Sequence, residues 1–262
     1  MGLLNAAQQE QWKTHGYFSL PGELGPETVQ ELTRWVEEVA SWSIPKEPGL
    51  HHTEDIDGEE RLARSEDFDP YHAGLSAFMR DGVIARVLEE LFGEPAVLFK
   101  EKINFKYPGG GGFAPHQDAP AYRFIDHHIS CMVPIDPSTI ESGCLYFAPG
   151  YDEGLLPNAA GRIDETWLSG ARWEPLEAMP GDLVFFDSYA PHKSGTNGSK
   201  APRRLMYLTY NSASKGDFRE TYYADKRSEL RTEGQEGASG HVRISINDDF
   251  LGKPVTERTQ PR

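Results

Sequence analysis

Cysteine is nearly missing from this chain. Two residues, Cys131 and Cys144, stand in 262. That is too few for a disulfide framework, and neither has Cys or His partners at the spacing of a zinc site. A cytoplasmic protein with reduced thiols is the expectation. Long apolar runs are missing too, so no membrane span is expected. The opening residues Met1 to Gln8 lack the basic stretch and apolar core of a secretory signal. Basic residues are scarce relative to acidic ones, 26 against 41, for a net charge of −15. Phosphate-backbone binding needs a basic face, so no nucleic-acid partner is expected. A small anion held by a few local cations remains compatible.

What the chain has in quantity is glycine and proline, 26 and 19, as in folds with many turns between short strands. The length suits a single all-β domain with helical additions. The expected organisation is one domain over 1–262: a helical buttress at about 4–95, a β core at about 97–211 and an extension at about 215–262. Helices are expected from Ala6, from Pro26 with the stripe Val29, Leu32, Val36 and Val39, over Gly82–Phe92, and around Arg219–Leu230. Strands are expected at Tyr17–Leu20, Val97–Tyr107, His127–Ile135, around Leu145–Phe147, at Leu183–Asp187 and at Arg203–Asn211. Residues 43–72, with His51-His52-Thr53-Glu54-Asp55-Ile56-Asp57, read as a solvated loop. Residues 151–175 read as an excursion with little core. Thr232–Ser239 reads as flexible, Val242–Ile246 as an edge strand and 253–262 as disordered. Of the adjacent His127 and His128, one faces in and the other out.

Two short stretches carry chemistry: Ala114-Pro115-His116-Gln117-Asp118 and Ser188-Tyr189-Ala190-Pro191-His192-Lys193-Ser194-Gly195. On an extended backbone His116 and Asp118 share a face, and Gln117 turns to the other. A His-x-Asp alone is a common accident in a chain with 9 histidines. Its weight comes from His192, which follows 74 residues after Asp118. Two imidazoles and one carboxylate on one face of an octahedral ion leave the opposite face open, the arrangement of non-haem Fe(II) oxygenases. Arg203 and Arg204 then open a strand, on which one of the two must point inward. A buried guanidinium needs an anion, and it matches a carboxylate through two parallel hydrogen bonds.

Together with Glu141-x-Gly143-x-Leu145, Pro149-Gly150, Pro180-Gly181-Asp182, His192-x-Ser194-Gly195-x-Asn197 and Arg203, these residues resemble the phytanoyl-CoA dioxygenase family of Fe(II)/2-oxoglutarate oxygenases. The resemblance covers roughly residues 8–215. It implies a mainly β fold with flanking helices, a double-stranded β-helix (jelly roll, cupin-like). It implies His116, Asp118 and His192 as iron ligands and Arg203 as the anchor of the distal carboxylate of 2-oxoglutarate, with Ser194, Gln117 and Lys102 as further cosubstrate contacts. Fe(II), 2-oxoglutarate and O2 are the implied cofactor and cosubstrates. Halogenating relatives lack the carboxylate that Asp118 supplies, so hydroxylation is expected. The family often has Ser-His after the Pro149-Gly150 turn, where this chain has Tyr151-Asp152.

The substrate is expected to be a small molecule bearing an anionic group, with Lys102, Lys106, Tyr122, Arg123 and Arg204 as candidates near the mouth. General likeness extends to the bacterial branch that hydroxylates 2-aminoethylphosphonate and its N-methylated forms. An ammonium end would fall to Asp126, Asp187, Tyr122 or Tyr189. The Gly109–Gly112 run could receive an oxyanion or simply permit a close approach. Hydroxylation of a free amino acid or other small zwitterion, hydroxylation of an acyl-CoA, and a non-catalytic cupin-like binding module are the competing readings. The sequence does not give the oligomeric state.

Overall fold

Local signals place the first helices. Asn5 accepts from the backbone of Gln8 while the Gln8 side chain accepts from Asn5, a capping box that opens α1 (Ala6–His15). Gly16, at φ 70°, ends it in the left-handed region that glycine tolerates. Pro26 starts α2 (Pro26–Ser41), where its missing N–H costs nothing. Two further helices follow, α3 (Ala73–Arg80) and α4 (Gly82–Phe92). Leu32, Val36, Val39, Leu75, Met79, Ile84, Val87 and Leu88 form their buried face. Each such side chain contributes about 1.5–3 kcal/mol on burial.

The computed structural model describes residues 2–42, 48–56, 58–122, 124–159 and 162–236. Its strands are β1 (Tyr17–Leu20), β2 (Leu50–Ile56), β3 (Glu59–Glu66), β4 (Ala96–Lys106), β5 (Phe113–His116), β6 (Ile129–Pro134), β7 (Leu145–Phe147), β8 (Asn158–Ala159), β9 (Arg162–Ile163), β10 (Glu174–Leu176), β11 (Leu183–Asp187), β12 (His192–Ser194) and β13 (Arg203–Ser212). A short α5 (Glu165–Leu168) and a C-terminal α6 (Arg219–Glu236) complete the list. They make two antiparallel sheets, β1-β11-β6-β13-β4-β3-β2 and β10-β7-β12-β5-β9-β8. This is the double-stranded β-helix, mainly β with helices on one side.

Period-two alternation divides the labour of the large sheet. On β13, Met206, Leu208 and Tyr210 join Ile103 and Phe105 of β4 in the cluster shared with the helices. The intervening Leu205 and Tyr207 face the small sheet, packing with Met132, Leu145, Phe147 and Phe186. The helices therefore buttress the back of the large sheet, and the space between the sheets is left for the site. Among the described residues, no helix is long and apolar enough to cross a membrane.

Two expectations need correction. The stretch read as a loop at 43–72 contains the β2–β3 hairpin, paired from Leu50↔Glu66 to Ile56↔Glu59, and β3 joins β4 through Arg64↔Asn104 and Glu66↔Lys102. Its side chains are polar because they face a charged interior, so an apolar pattern is absent. Residues expected to be flexible from Thr232 are helical as far as Glu236. The excursion at 151–175 has little core, as expected, with Leu156 and Ile163 its buried side chains among the described residues, and it supplies β8, β9 and β10 to the small sheet. Val242–Ile246 and 253–262 lie outside the described residues.

α6 is held by charge. Arg219 meets Glu101 at 2.6 Å and Asp67 at 2.8 Å, and Lys226 meets Glu66 at 2.6 Å. All of these are buried, so the helix is fixed against β3 and β4 through ion pairs that the interior does not screen.

Candidate active site

Strand register brings the two histidines together. In the antiparallel pair β5·β12, His116 and His192 are Cα partners, and their ring centroids lie 4.2 Å apart. Cross-strand neighbours in this geometry interact directly. Asp118 follows β5 by two residues, and its Oδ1 is 3.8 Å from Nε2 of His116. The ligand atoms of His116, Asp118 and His192 all lie within 4.8 Å of one another, so the three can hold a metal ion.

Both imidazoles are fixed in the same way. Nδ1 of His116 donates to the Ala114 carbonyl at 2.6 Å, and Nδ1 of His192 donates to the Ala190 carbonyl at 2.9 Å. That tautomer leaves Nε2 of each ring with its lone pair available. Burial, reinforced by the other imidazole, pushes His116 down to about 3. His192 is lowered as well, by burial. Burial would raise Asp118, but His192, His116 and Lys102 outweigh it and hold the carboxyl at about 2. At neutral pH the set is two neutral nitrogen donors and one carboxylate, a suitable donor set for Fe(II).

A cleft with ≈ 390 Å³ of space, part of it open to solvent, adjoins these donors. Phe113, Leu145 and Phe186 supply apolar wall, and Lys102, Asn104, Tyr122, Ser130, Tyr207 and Thr209 supply polar groups. Arg203 lies behind Tyr207 and hydrogen-bonds to it. It is 2% exposed, and its Nε and Nη1 have no hydrogen-bond partner. Orphaned guanidinium nitrogens in an interior are costly, and a carboxylate is the anion that a guanidinium edge matches. The residues therefore fit 2-oxoglutarate as well as the metal.

The other expected residues divide. Lys102 and Tyr122 line the cleft. Lys106 does not: it donates to Ser194 Oγ at 3.0 Å and the Gly195 carbonyl at 2.6 Å, beside Arg203. It belongs with Ser194 at the arginine end, away from the mouth. Ser194 Oγ also accepts from the Phe113 amide at 3.1 Å, so its own proton remains to donate. Gln117 turns to the opposite face, as the strand period requires, and away from the cleft. Its amide donates to the Gly154 and Tyr189 carbonyls and accepts from the Leu156 amide. Arg204 points outward to Asp136 and Glu37. Asp187 is taken by His127 at 2.6 Å and by the Tyr151 hydroxyl, and Asp126 is exposed. Tyr189, half-buried, shares its carbonyl with Gln117. Arg123 lies outside the described residues.

The glycine run serves close approach. A Cβ on Gly112 would stand 2.2 Å from the Ser194 carbonyl oxygen, and Gly109 and Gly110 exchange backbone hydrogen bonds with Asn197. The loop thus packs on the segment after His192.

Sequence reasoning missed Asn104, Ser130, Tyr207 and Thr209, and the cluster His52–Arg64–Glu66. The signal for Asn104 was present: Lys100, Lys102, Asn104 and Lys106 alternate along β4. No signal marked His52, 3% exposed beside Glu66.

Two predictions arise here. Gln117→Ala should destabilise the fold by about 1–3 kcal/mol, because one buried and two part-buried backbone groups lose their partner; urea unfolding measures it. The second concerns pH. Burial pushes His52, His116 and His128 down to about 3, so in the metal-free protein between pH 3 and 6.5 the unfolded chain binds three protons that the folded chain does not. Stability is full above the unfolded value of about 6.5 and falls as pH drops. Glu101, pushed up to about 7 by burial despite Arg219, acts in the opposite sense with one proton. Melting temperature should therefore decline from pH 7 to pH 5, and less so in His128→Phe.

A family profile described as phytanoyl-CoA dioxygenase matches residues 12–205. A methylphosphonate hydroxylase of Gimesia maris is 45% identical over 258 residues, 97% of this chain and 98% of its own. A 2-aminoethylphosphonate dioxygenase of an uncultured bacterium is 42% identical over 265 residues, 97% and 100% respectively. Among solved structures, EctD from S. alaskensis with bound Fe shares the fold at a TM-score of 0.69 and 18% identity, covering 82% of this chain and 79% of its own.

Proposed function

We propose, from the premise that this chain belongs to the phytanoyl-CoA dioxygenase family of Fe(II)- and 2-oxoglutarate-dependent oxygenases, that it hydroxylates a carbon of a small phosphonate. The class includes 2-aminoethylphosphonate, its N-methylated forms and methylphosphonate. Succinate and CO2 are the co-products. The substrate class is carried by the two phosphonate-oxidising relatives, which align over nearly the whole chain.

His116, Asp118 and His192 hold the iron in this reading. When bound with 2-oxoglutarate and O2, the metal supplies oxidative decarboxylation coupled to oxygen insertion into a substrate C–H bond. The protein does the rest. The Ala114 and Ala190 carbonyls keep both Nδ1 protons in place, so each Nε2 stays a neutral donor. Arg203 takes the distal carboxylate of 2-oxoglutarate through two parallel hydrogen bonds, and Ser194 donates alongside. Phe113, Leu145 and Phe186 keep bulk water from the reacting carbon.

The single observation that carries the reading is the cross-strand pair His116↔His192 with Asp118 beside it and, behind, a buried arginine whose Nε and Nη1 have no partner. The test is succinate release from Fe(II)-loaded enzyme offered methylphosphonate, 2-aminoethylphosphonate, N-methylated aminoethylphosphonates and a panel of amino acids. Release with phosphonates is expected. Release with amino acids alone would replace the phosphonate reading by the amino-acid one.

A further inference from the structure

The chain turns sharply between Asp187, the last residue of β11, and His192, the first of β12. Asp187 closes that turn twice. Its backbone carbonyl accepts from the Ala190 amide at 3.0 Å, a β-turn. Its side-chain Oδ1 accepts from the Tyr189 amide at 2.9 Å. This second bond, from a side chain to the amide two residues on, is an Asx-turn, which suits aspartate and asparagine and not the longer glutamate. The turn delivers the Ala190 carbonyl, which accepts from Nδ1 of His192 at 2.9 Å. That bond decides which ring nitrogen faces His116 and Asp118.

The same turn is where the two ligand-bearing segments meet. Gln117 and Ala119, on either side of Asp118, donate to its successive carbonyls. Gln117 Nε2 reaches Tyr189 at 2.6 Å, and the Ala119 amide reaches Ser188 at 2.9 Å. From other sides the Ser188 amide donates to the His128 carbonyl at 2.9 Å, and the Ala148 amide donates to the Pro191 carbonyl at 3.1 Å. A change in the shape of the turn therefore moves His192 relative to both other donors, whose ligand atoms lie within 4.8 Å of its own.

The second carboxylate oxygen has separate partners. Oδ2 accepts from the Tyr151 hydroxyl at 3.2 Å and is paired with Nε2 of His127 at 2.6 Å. Asp187 is 1% exposed, and a buried carboxylate needs such partners. It does not line the cleft, so its part is not substrate binding.

We propose that Asp187 is a positioning residue for the metal centre: through Oδ1 and the Tyr189 amide it sets the turn whose Ala190 carbonyl aims His192. Acceptor geometry, and not negative charge, is what it contributes to metal binding. This role presupposes the ligand set His116, Asp118 and His192 read above.

Anaerobic calorimetric titration of the full chain with Fe(II) tests it, with melting curves to show that each variant is folded. Asp187→Glu keeps the charge and loses the Asx-turn. Asp187→Asn keeps the Asx-turn through its Oδ1 and loses the charge, while its amide nitrogen can donate to the His127 ring. Fe(II) affinity should fall roughly tenfold to hundredfold in Asp187→Glu, the cost of disturbing an outer-shell partner. In Asp187→Asn it should stay within about threefold of wild type. Asp187→Ala, which offers no acceptor, replaces the Glu variant in the comparison if that variant does not fold. Tyr151→Phe, which removes a contact of Oδ2 alone, should lower the melting temperature and leave Fe(II) affinity unchanged. Wild-type Fe(II) affinity in Asp187→Glu or Asp187→Ala overturns the role. A loss in Asp187→Asn as large as in Asp187→Glu overturns it too, by making charge the cause. So does a loss in Tyr151→Phe that matches its loss of stability, by making general destabilisation the cause. Wild-type Fe(II) affinity in His192→Ala would instead reject the ligand set beneath it.

Discussion

His192→Ala is expected to abolish 2-oxoglutarate turnover and to weaken Fe(II) binding by far more than the ~10–100-fold that outer-shell changes cost. The reason is geometric. His192 is the Cα partner of His116, and with it gone the remaining donors are one imidazole and one carboxylate. Its Nδ1 is held by the Ala190 carbonyl at 2.9 Å, which keeps Nε2 as the lone-pair donor beside His116 and Asp118. The variant should still fold, because the ring lies between Phe147 and Phe186 in an apolar wall and leaves a cavity without exposing a charge. Anaerobic Fe(II) titration followed by succinate assay checks both parts. Normal Fe(II) affinity in the variant would remove His192 from the ligand set.

Arg203→Ala should raise the 2-oxoglutarate concentration needed for half-maximal rate by roughly tenfold to hundredfold or more, the cost of a lost charge-assisted bidentate pair. The maximal rate should change less, since the distal carboxylate is remote from the reacting carbon. Stability should move the other way. Nε and Nη1 of Arg203 have no partner in a side chain that is 2% exposed, so removing the guanidinium relieves an unsatisfied buried charge. Equal or higher melting temperature, together with the raised 2-oxoglutarate requirement, is the expected signature. Arg203→Lys should restore charge without the fork and recover only part of the affinity. A variant with wild-type 2-oxoglutarate dependence would detach Arg203 from the cosubstrate.

The two predictions draw on residues that were legible in different ways. His116 and Asp118 share a face because extended backbone alternates, and the position of Arg203 at the start of an apolar strand already required one of the two arginines to turn inward. Arg203 turns in, and Arg204 turns out to Asp136 and Glu37. Gln117 shows the same rule at work: the alternation that aims its neighbours into the cleft sends it to the Gly154, Leu156 and Tyr189 backbone. The β2–β3 hairpin was invisible because its inward side chains, His52, Arg64 and Glu66, are polar, and hydrophobic periodicity cannot register a strand whose buried face is ionic.

What the sequence by itself determined is therefore local and periodic: which segments alternate, where helices are capped, and which face of each strand a residue must take. The tertiary structure decided register and electrostatic company. Pairing His116 with His192, seating Lys106 against Ser194 while Lys100 and Lys102 approach Asp118, and bringing Lys226 of α6 to Glu66 all join residues far apart along the chain. Such contacts depend on how strands are ordered and slid past one another, and on where buried charges find their counter-charges.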